Sequence, residues 1–219
     1  MLVIKTGMAS EFRVAKKYAA ADVLVLTGIL TVDALRKSVP SNARAIISLG
    51  LCGGLAPSIA VGDVVLAGIV DTPDGEYETD RGWTQRLYEC TGALGVRWWS
   101  SGDFNTANNK IERDALFAKT RCQVIDDETF AVAQFAKERK LALAALRSVS
   151  DGEHDNLPPA VVDALNANGT DNLEAVIWSV VTDPLQVPAL VKTALEYKKS
   201  MDALDRVCRQ VGSNFQWND

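Results

Sequence analysis

Histidine is nearly missing from this chain of 219 residues, with His154 the single example. A Ser-His-Asp hydrolase would have to use it. Neither Ser148 nor Ser150 has the flanking glycines of a nucleophile elbow, so that chemistry is set aside. Paired cysteines are missing too. Cys52, Cys90, Cys122 and Cys208 lie far apart, which removes the spacing of a structural zinc site. Scattered thiols in a chain this long read as reduced, which predicts a cytoplasmic protein. There is no run of Lys or Arg, and the formal net charge is −5, so a nucleic-acid partner is not expected. The longest apolar stretches are about ten residues, short of the ~20 that a membrane span needs. The opening MLVIKTG ends at a glycine with no apolar segment behind a basic start, so no signal peptide is expected.

What is present is an ordinary globular balance, 47% hydrophobic and 23% charged. A chain of this size buries about 70–75% of its unfolded surface and needs no metal or disulfide staple. Short apolar runs alternate with helix-like segments, the pattern of an α/β domain. Strands are expected at Leu2–Lys5, Val23–Leu26, Ala45–Leu49, Asp63–Val70, Val96–Ser100, Gln123–Ile125 and Leu143–Val149. Helices are expected at Glu11–Ala20, Val32–Ser38, Thr84–Cys90, Asn109–Ala118 and Thr129–Arg139, then at Ala160–Asn166, Leu173–Thr182 and Val187–Val211. Nothing marks a domain boundary, so residues 1–211 read as one domain and 212–219 as a frayed tail.

Gly50-Leu51-Cys52-Gly53-Gly54-Leu55-Ala56-Pro57 follows an apolar strand and reads as a tight turn whose N–H groups can approach a ligand. The spacing is neither G-x-G-x-x-G nor a P-loop. Its continuation carries more. The stretch Ile46 to Val65 (IISLGLCGGLAPSIAVGDVV) resembles the glycine motif of the purine nucleoside phosphorylase and nucleosidase superfamily. Three more segments agree in order. Thr6 to Glu11 (TGMASE) resembles the amino-terminal turn that carries a carboxylate. Gln123 to Thr129 (QVIDDET) resembles the V-D-M-E-S motif, and Leu146 to Asp151 (LRSVSD) the R-x-x-S-D motif. Within the superfamily the chain looks most like the hopanoid-associated phosphorylases, from DRGWTQRL at 80–87, the run from Asn156 (NLPPAVVDALNANGTDNLEAV) and PLQVPAL at 184–190.

The resemblance implies a single-domain nucleoside phosphorylase-like fold, a central mixed β-sheet flanked by helices. It also implies cleavage of the N-glycosidic bond of a purine nucleoside, a 5′-substituted adenosine with a hopanoid-linked group as one form. Asp151 would protonate or hydrogen-bond the purine near N7. Glu128 would accept from the ribose hydroxyls, and Glu11 would orient the attacking water. Phe104, after Ser101-Gly102-Asp103, resembles the aromatic that stacks on the base. Gly53, Gly54, Ser48 and Asp127 complete the substrate side. No metal or organic cofactor is implied; inorganic phosphate would be a co-substrate if cleavage is phosphorolytic. A small nucleoside and a second copy of the chain, as a homodimer, are the expected partners. Taken alone, Asp151 and Glu128 also read as a turn residue and a helix-start acid.

Two departures bear on mechanism. Asp127 stands where the motif has methionine. If the segment is extended, Asp126 and Glu128 face one way and Asp127 the other. Hexameric phosphorylases carry an Arg two residues before the first glycine of the turn and a Ser just after it; here those places hold Ser48 and Leu51. No Lys or Arg lies between Arg44 and Arg81, which favours hydrolysis, or phosphorolysis with a different anion site. A non-catalytic nucleoside-binding relative is the rival reading.

Overall fold

The structure is a computed structural model that describes residues 1–28, 31–102, 107, 109–152 and 187–218. Phe104, His154, the expected helices Ala160–Asn166 and Leu173–Thr182, and the hopanoid-like run from Asn156 lie outside the described residues. Among the described residues eight strands are seen: β1 (Leu2–Lys5), β2 (Leu24–Leu26), β3 (Ala45–Gly54), β4 (Val64–Thr72), β5 (Gly75–Glu78), β6 (Leu94–Ser100), β7 (Val124–Asp126) and β8 (Ala142–Asp151). Six helices accompany them among the described residues: α1 (Ala9–Tyr18), α2 (Val32–Ser38), α3 (Arg81–Thr91), α4 (Lys110–Thr120), α5 (Thr129–Arg139) and α6 (Val187–Val211).

The sheet is mixed. β1 pairs in parallel with β2 and β3, β3 with β8, and β6 with β4 and β7, while β7 meets β3, and β8 and β5 meet β4, in antiparallel fashion. Strands β3, β8, β4, β6 and β7 therefore form a closed circuit, with β1 and β2 continuing from β3. Alternation along the strands divides the core. Val3, Ile46, Ala145 and Trp98 pack with Val132 and Phe135 of α5 on one side. Leu2, Ile4, Ile47 and Leu49 pack with Trp83 of α3 and Leu204 and Val207 of α6 on the other. Near-continuous apolar strands follow from cover on both faces.

Three expectations are corrected. The glycine-rich segment is no turn: β3 runs on to Gly54, because β8 pairs with it through Gly53↔Asp151 and β7 through Gly53↔Ile125 and Gly54↔Val124. β5, which no apolar run announced, is a hairpin partner of β4 in which only Tyr77 is buried. Residues after Val211 are packed where fraying was expected. Phe215 is fully buried and its carbonyl accepts from Trp83 Nε1 at 2.7 Å. Trp217 meets the Trp83 ring edge-on at 5.1 Å between centroids. Two aromatic side chains bury enough apolar area to order this short polar stretch.

Candidate active site

Lys5, Ser48 and Arg147 share one sheet face, the face that carries Val3, Ile46 and Ala145 further down, since Lys5 is in register with Ser48 and Ser48 with Ala145. They bring a polar cluster to the end of β1 and the middle of β3 and β8. All three are essentially inaccessible. Arg147 is the hub. Its Nε pairs with Asp126 Oδ2 at 2.8 Å and its NH1 with Glu128 Oε2 at 2.9 Å. NH1 also donates to Leu51 O at 2.7 Å and NH2 to Ser48 Oγ at 2.9 Å. Its guanidinium stands 5.9 Å from the centre of the Trp98 ring. Burial works against the Arg147 charge, but Asp126, Glu128 and Glu11 more than offset it and raise its pKa.

Asp126, the last residue of β7, accepts from Ser100 Oγ at 2.5 Å and from both Thr129 N and Thr129 Oγ1. Burial pushes its carboxyl up, opposed chiefly by Arg147. Glu128 follows as the N-cap of α5, yet its side chain makes no capping bond and turns to Arg147. Asp127 goes elsewhere and accepts from Ser101 Oγ at 2.7 Å. The motif acids thus divide as the alternation suggested, with Asp126 and Glu128 on Arg147 and Asp127 apart. Burial pushes Asp127 up to about 8, against the Ser101 hydrogen bond.

Glu11 approaches from the other side. As the third residue of α1 it reaches back over the helix start, as the acid of a capping box does. Its Oε2 accepts from Gly7 N at 2.8 Å and Met8 N at 2.9 Å. Its Oε1 crosses to β3 and accepts from Leu51 N at 2.8 Å. Burial, then the nearby Glu128 charge, push its carboxyl up to about 7, against Arg147 and the backbone donors. Glycine is required on two flanks. A Cβ at Gly50 would stand 2.6 Å from Glu11 Oε1, and one at Gly7 would overlap Glu128 Oε1 while lying 3.3 Å from Glu11 Oε2. Gly7 therefore sits between the two carboxylates.

Asp151 ends β8. Its Oδ1 lies 2.6 Å from Ser150 Oγ, and its Oδ2 forms an ion pair with Arg113 of α4. A Cβ at Gly53 would lie 3.1 Å from Asp151 Oδ2, and one at Gly54 would lie 3.3 Å from Asp151 O. Gly50 beside Glu11 and Gly53 beside Asp151 are three residues, about 10 Å, apart along β3. The open depressions around Lys198 and around Lys140 lie away from this strand end.

A sequence model of the phosphorylase superfamily matches residues 12–182. The chain belongs to the phosphorylase superfamily. Solved structures with the same architecture include the futalosine hydrolase of Helicobacter pylori, with 13% identity, a TM-score of 0.65 and 95% of each chain covered. The 5′-methylthioadenosine/S-adenosylhomocysteine nucleosidase of Colwellia psychrerythraea, solved with adenine, shares 13% identity at a TM-score of 0.66 and covers 99% of this chain and 94% of its own. The Streptococcus pneumoniae nucleosidase of the same type, solved with 8-aminoadenine, shares 16% at 0.60, covering 91% and 99%. No curated protein matches by sequence.

Sequence reasoning singled out Glu11, Glu128 and Ser48, which the fold gathers around Arg147, and Asp151, which lies at the end of β8. It missed Lys5, Thr129 and Arg113. Lys5 Nζ donates to Thr6 O at 2.8 Å, and its pKa is lowered by burial, against the pull of Glu128. A lysine closing an otherwise apolar strand was the available signal. Among the described residues no cluster of three His, Cys, Asp or Glu side chains could hold a metal ion. No described helix is long and apolar enough to cross a membrane.

Proposed function

We propose that the chain hydrolyses the N-glycosidic bond of a purine nucleoside, with Glu11 as the base that activates water. The observation that carries this is the Glu11 carboxyl: inaccessible, oriented by three backbone N–H groups, and raised to about 7 beside Glu128. A base with a pKa near the working pH both exists deprotonated and accepts a proton readily. Water adds its oxygen to C1′ as the C1′–N9 bond breaks, the electron pair leaving with the purine. Glu11 takes the proton from the water, and the purine gains one near N7 by way of Asp151. Glu128 accepts from the ribose hydroxyls and opposes the positive charge that develops on the sugar. Asp127, Ser48, Gly53, Gly54 and Phe104 complete the substrate side in this reading.

Charge supports water over phosphate. Ser48, in the place of a phosphate-binding arginine, lies 2.8 Å from Thr129 Oγ1 and accepts from Arg147. Arg147 in turn answers Asp126 and Glu128. Three carboxylates against Arg147 and Lys5 leave a site that welcomes an oxocarbenium-like sugar more than a dianion.

The substrate we favour is a 5′-substituted adenosine. The solved adenine and 8-aminoadenine complexes of similar structures support the base. Resemblance to hopanoid-associated phosphorylases supports a hopanoid-linked 5′ group. A homodimer is the assembly we favour, with Val191 and Leu195 exposed on α6 as contact candidates. The test is release of free base from adenosine, inosine and 5′-substituted adenosines, with and without phosphate, alongside Asp151→Asn. Release without phosphate supports hydrolysis, and strict phosphate dependence overturns it. Binding without turnover of any nucleoside puts the non-catalytic rival ahead.

A further inference from the structure

The ion pair at the end of β8 does more than the proposed chemistry asks of it. Arg113 is the fourth residue of α4, on a helix whose other faces are largely exposed, yet it is itself 2% exposed. Its guanidinium gathers three separate pieces of chain. NH2 pairs with Asp151 Oδ2. NH1 donates to Gly54 O at 3.2 Å and to Gly152 O at 2.9 Å, and Nε donates to Ala107 O at 3.0 Å. The end of β3, the end of β8 and the segment leading into α4 therefore meet at one planar cation, whose fixed fork of donors dictates where the carboxylate points. Among the described residues Asp151 has one other side-chain partner, Ser150 Oγ, which also lies 3.1 Å from Cys52 O and has a single proton to give.

We propose that Arg113 is a positioning residue for departure of the base, acting through Asp151; this rests on the reading of Asp151 as the group that meets the purine. Two physical requirements point to it. A group serving a leaving purine must lie within hydrogen-bond reach of the ring, and a displacement of about 1 Å costs on the order of 100-fold in rate. The purine also departs with the electron pair of the glycosidic bond, and an unaccompanied carboxylate beside it would repel that developing charge. Arg113 answers both needs: it aims the carboxylate and supplies the countercharge. The two ends of the site are then built differently. Three carboxylates face two cations at the sugar end, which favours positive charge there, and one carboxylate faces one cation at the base end, which tolerates negative charge.

The test compares two substrates that differ in how much help the leaving group needs. Adenosine requires its purine to be protonated or hydrogen-bonded; 4-nitrophenyl β-D-ribofuranoside expels a stable phenolate unaided. Arg113→Met and Asp151→Asn should each lower kcat/KM on adenosine by about 100-fold or more, yet change the aryl riboside rate by less than about 3-fold. The double variant should be no worse than Asp151→Asn alone, since both act on one event. Arg113→Lys keeps the charge without the fork; it should lie between wild type and Arg113→Met, and it carries the test if Arg113→Met does not fold. Equal losses on both substrates, multiplicative losses in the double variant, or unchanged adenosine cleavage would overturn the role of Arg113. A wild-type protein that cleaves neither substrate would instead remove the nucleosidase reading, with this role along with it.

Discussion

Replacing Glu11 by Gln should change the pH dependence of stability and of rate together. In the fold the carboxyl keeps its proton up to about 7, against a reference value of 4.5. Between those values the folded chain binds a proton that the unfolded chain has released. Unfolding free energy therefore falls as pH rises from 4.5, and the loss is complete above about 7. Two and a half pKa units correspond to about 3 kcal/mol. Gln never ionises, so the variant lacks this loss. It carries a different, pH-independent penalty. Its amide must aim one N–H-bearing end at the donors of either Gly7 and Met8 or Leu51, a donor-to-donor contact costing about 1–3 kcal/mol. Urea unfolding of both proteins from pH 5 to 8.5 isolates the group, because most other titrations cancel in the difference. We expect Glu11→Gln to be the less stable protein at pH 5 and to close the gap by about 3 kcal/mol as pH passes 7. Wild-type kcat/KM should rise with pH through a midpoint near 7. The variant should lose about 10²–10⁴-fold in rate. A stability difference that stays flat over that range would refute the assignment of a buried, protonatable Glu11.

Gly7→Ala should fold, because its Cβ meets the far end of the Glu128 side chain rather than backbone. Its Cβ overlaps Glu128 Oε1, so Glu128 must leave Arg147, and cleavage should fall about 100-fold with the circular dichroism spectrum retained. Ser48→Ala strips a buried partner from both Arg147 and Thr129 and should cost about 1–3 kcal/mol in urea unfolding; a cost near zero would mean that these groups find other partners. Asp127→Asn should match wild type in melts at pH 4 and exceed it by pH 9, on the order of 5 kcal/mol. The aspartate has a raised pKa, so its fold loses stability as pH climbs from 3.8 through about 8.

Much of this architecture could be read from the chain, and the exceptions share a cause. β1, α2, α5 and α6 have the expected bounds, because apolar runs and helical stripes there coincide with what each element buries. Glycines were read as a turn since local preference is all a sequence displays. At Gly50, Gly53 and Gly54 the pairing with β7 and β8 overrides it, and the missing side chains admit Glu11 and Asp151 instead. Glu11, Glu128 and Asp151 were legible only through the order of four motifs, each weak alone. Lys5 and Arg113 carried no motif. Their burial is a tertiary fact: Lys5 lies on a strand flanked by β2 and β3, and Arg113 turns from α4 toward strand ends some sixty and forty residues away in sequence.

β3 has partners on every side, with β1 and β8 along its length and β7 at its end. Amide protons between Ile46 and Ser48, where β1 and β8 flank the strand on both sides, are locked in that lattice and should reach solvent only when the whole molecule unfolds. Their deuterium uptake then reports global stability. A ligand that binds the native chain anywhere slows it by the full factor 1 + [L]/Kd. Adenine, nucleosides and phosphate could each be ranked by how far they slow exchange at these few positions, with no turnover needed.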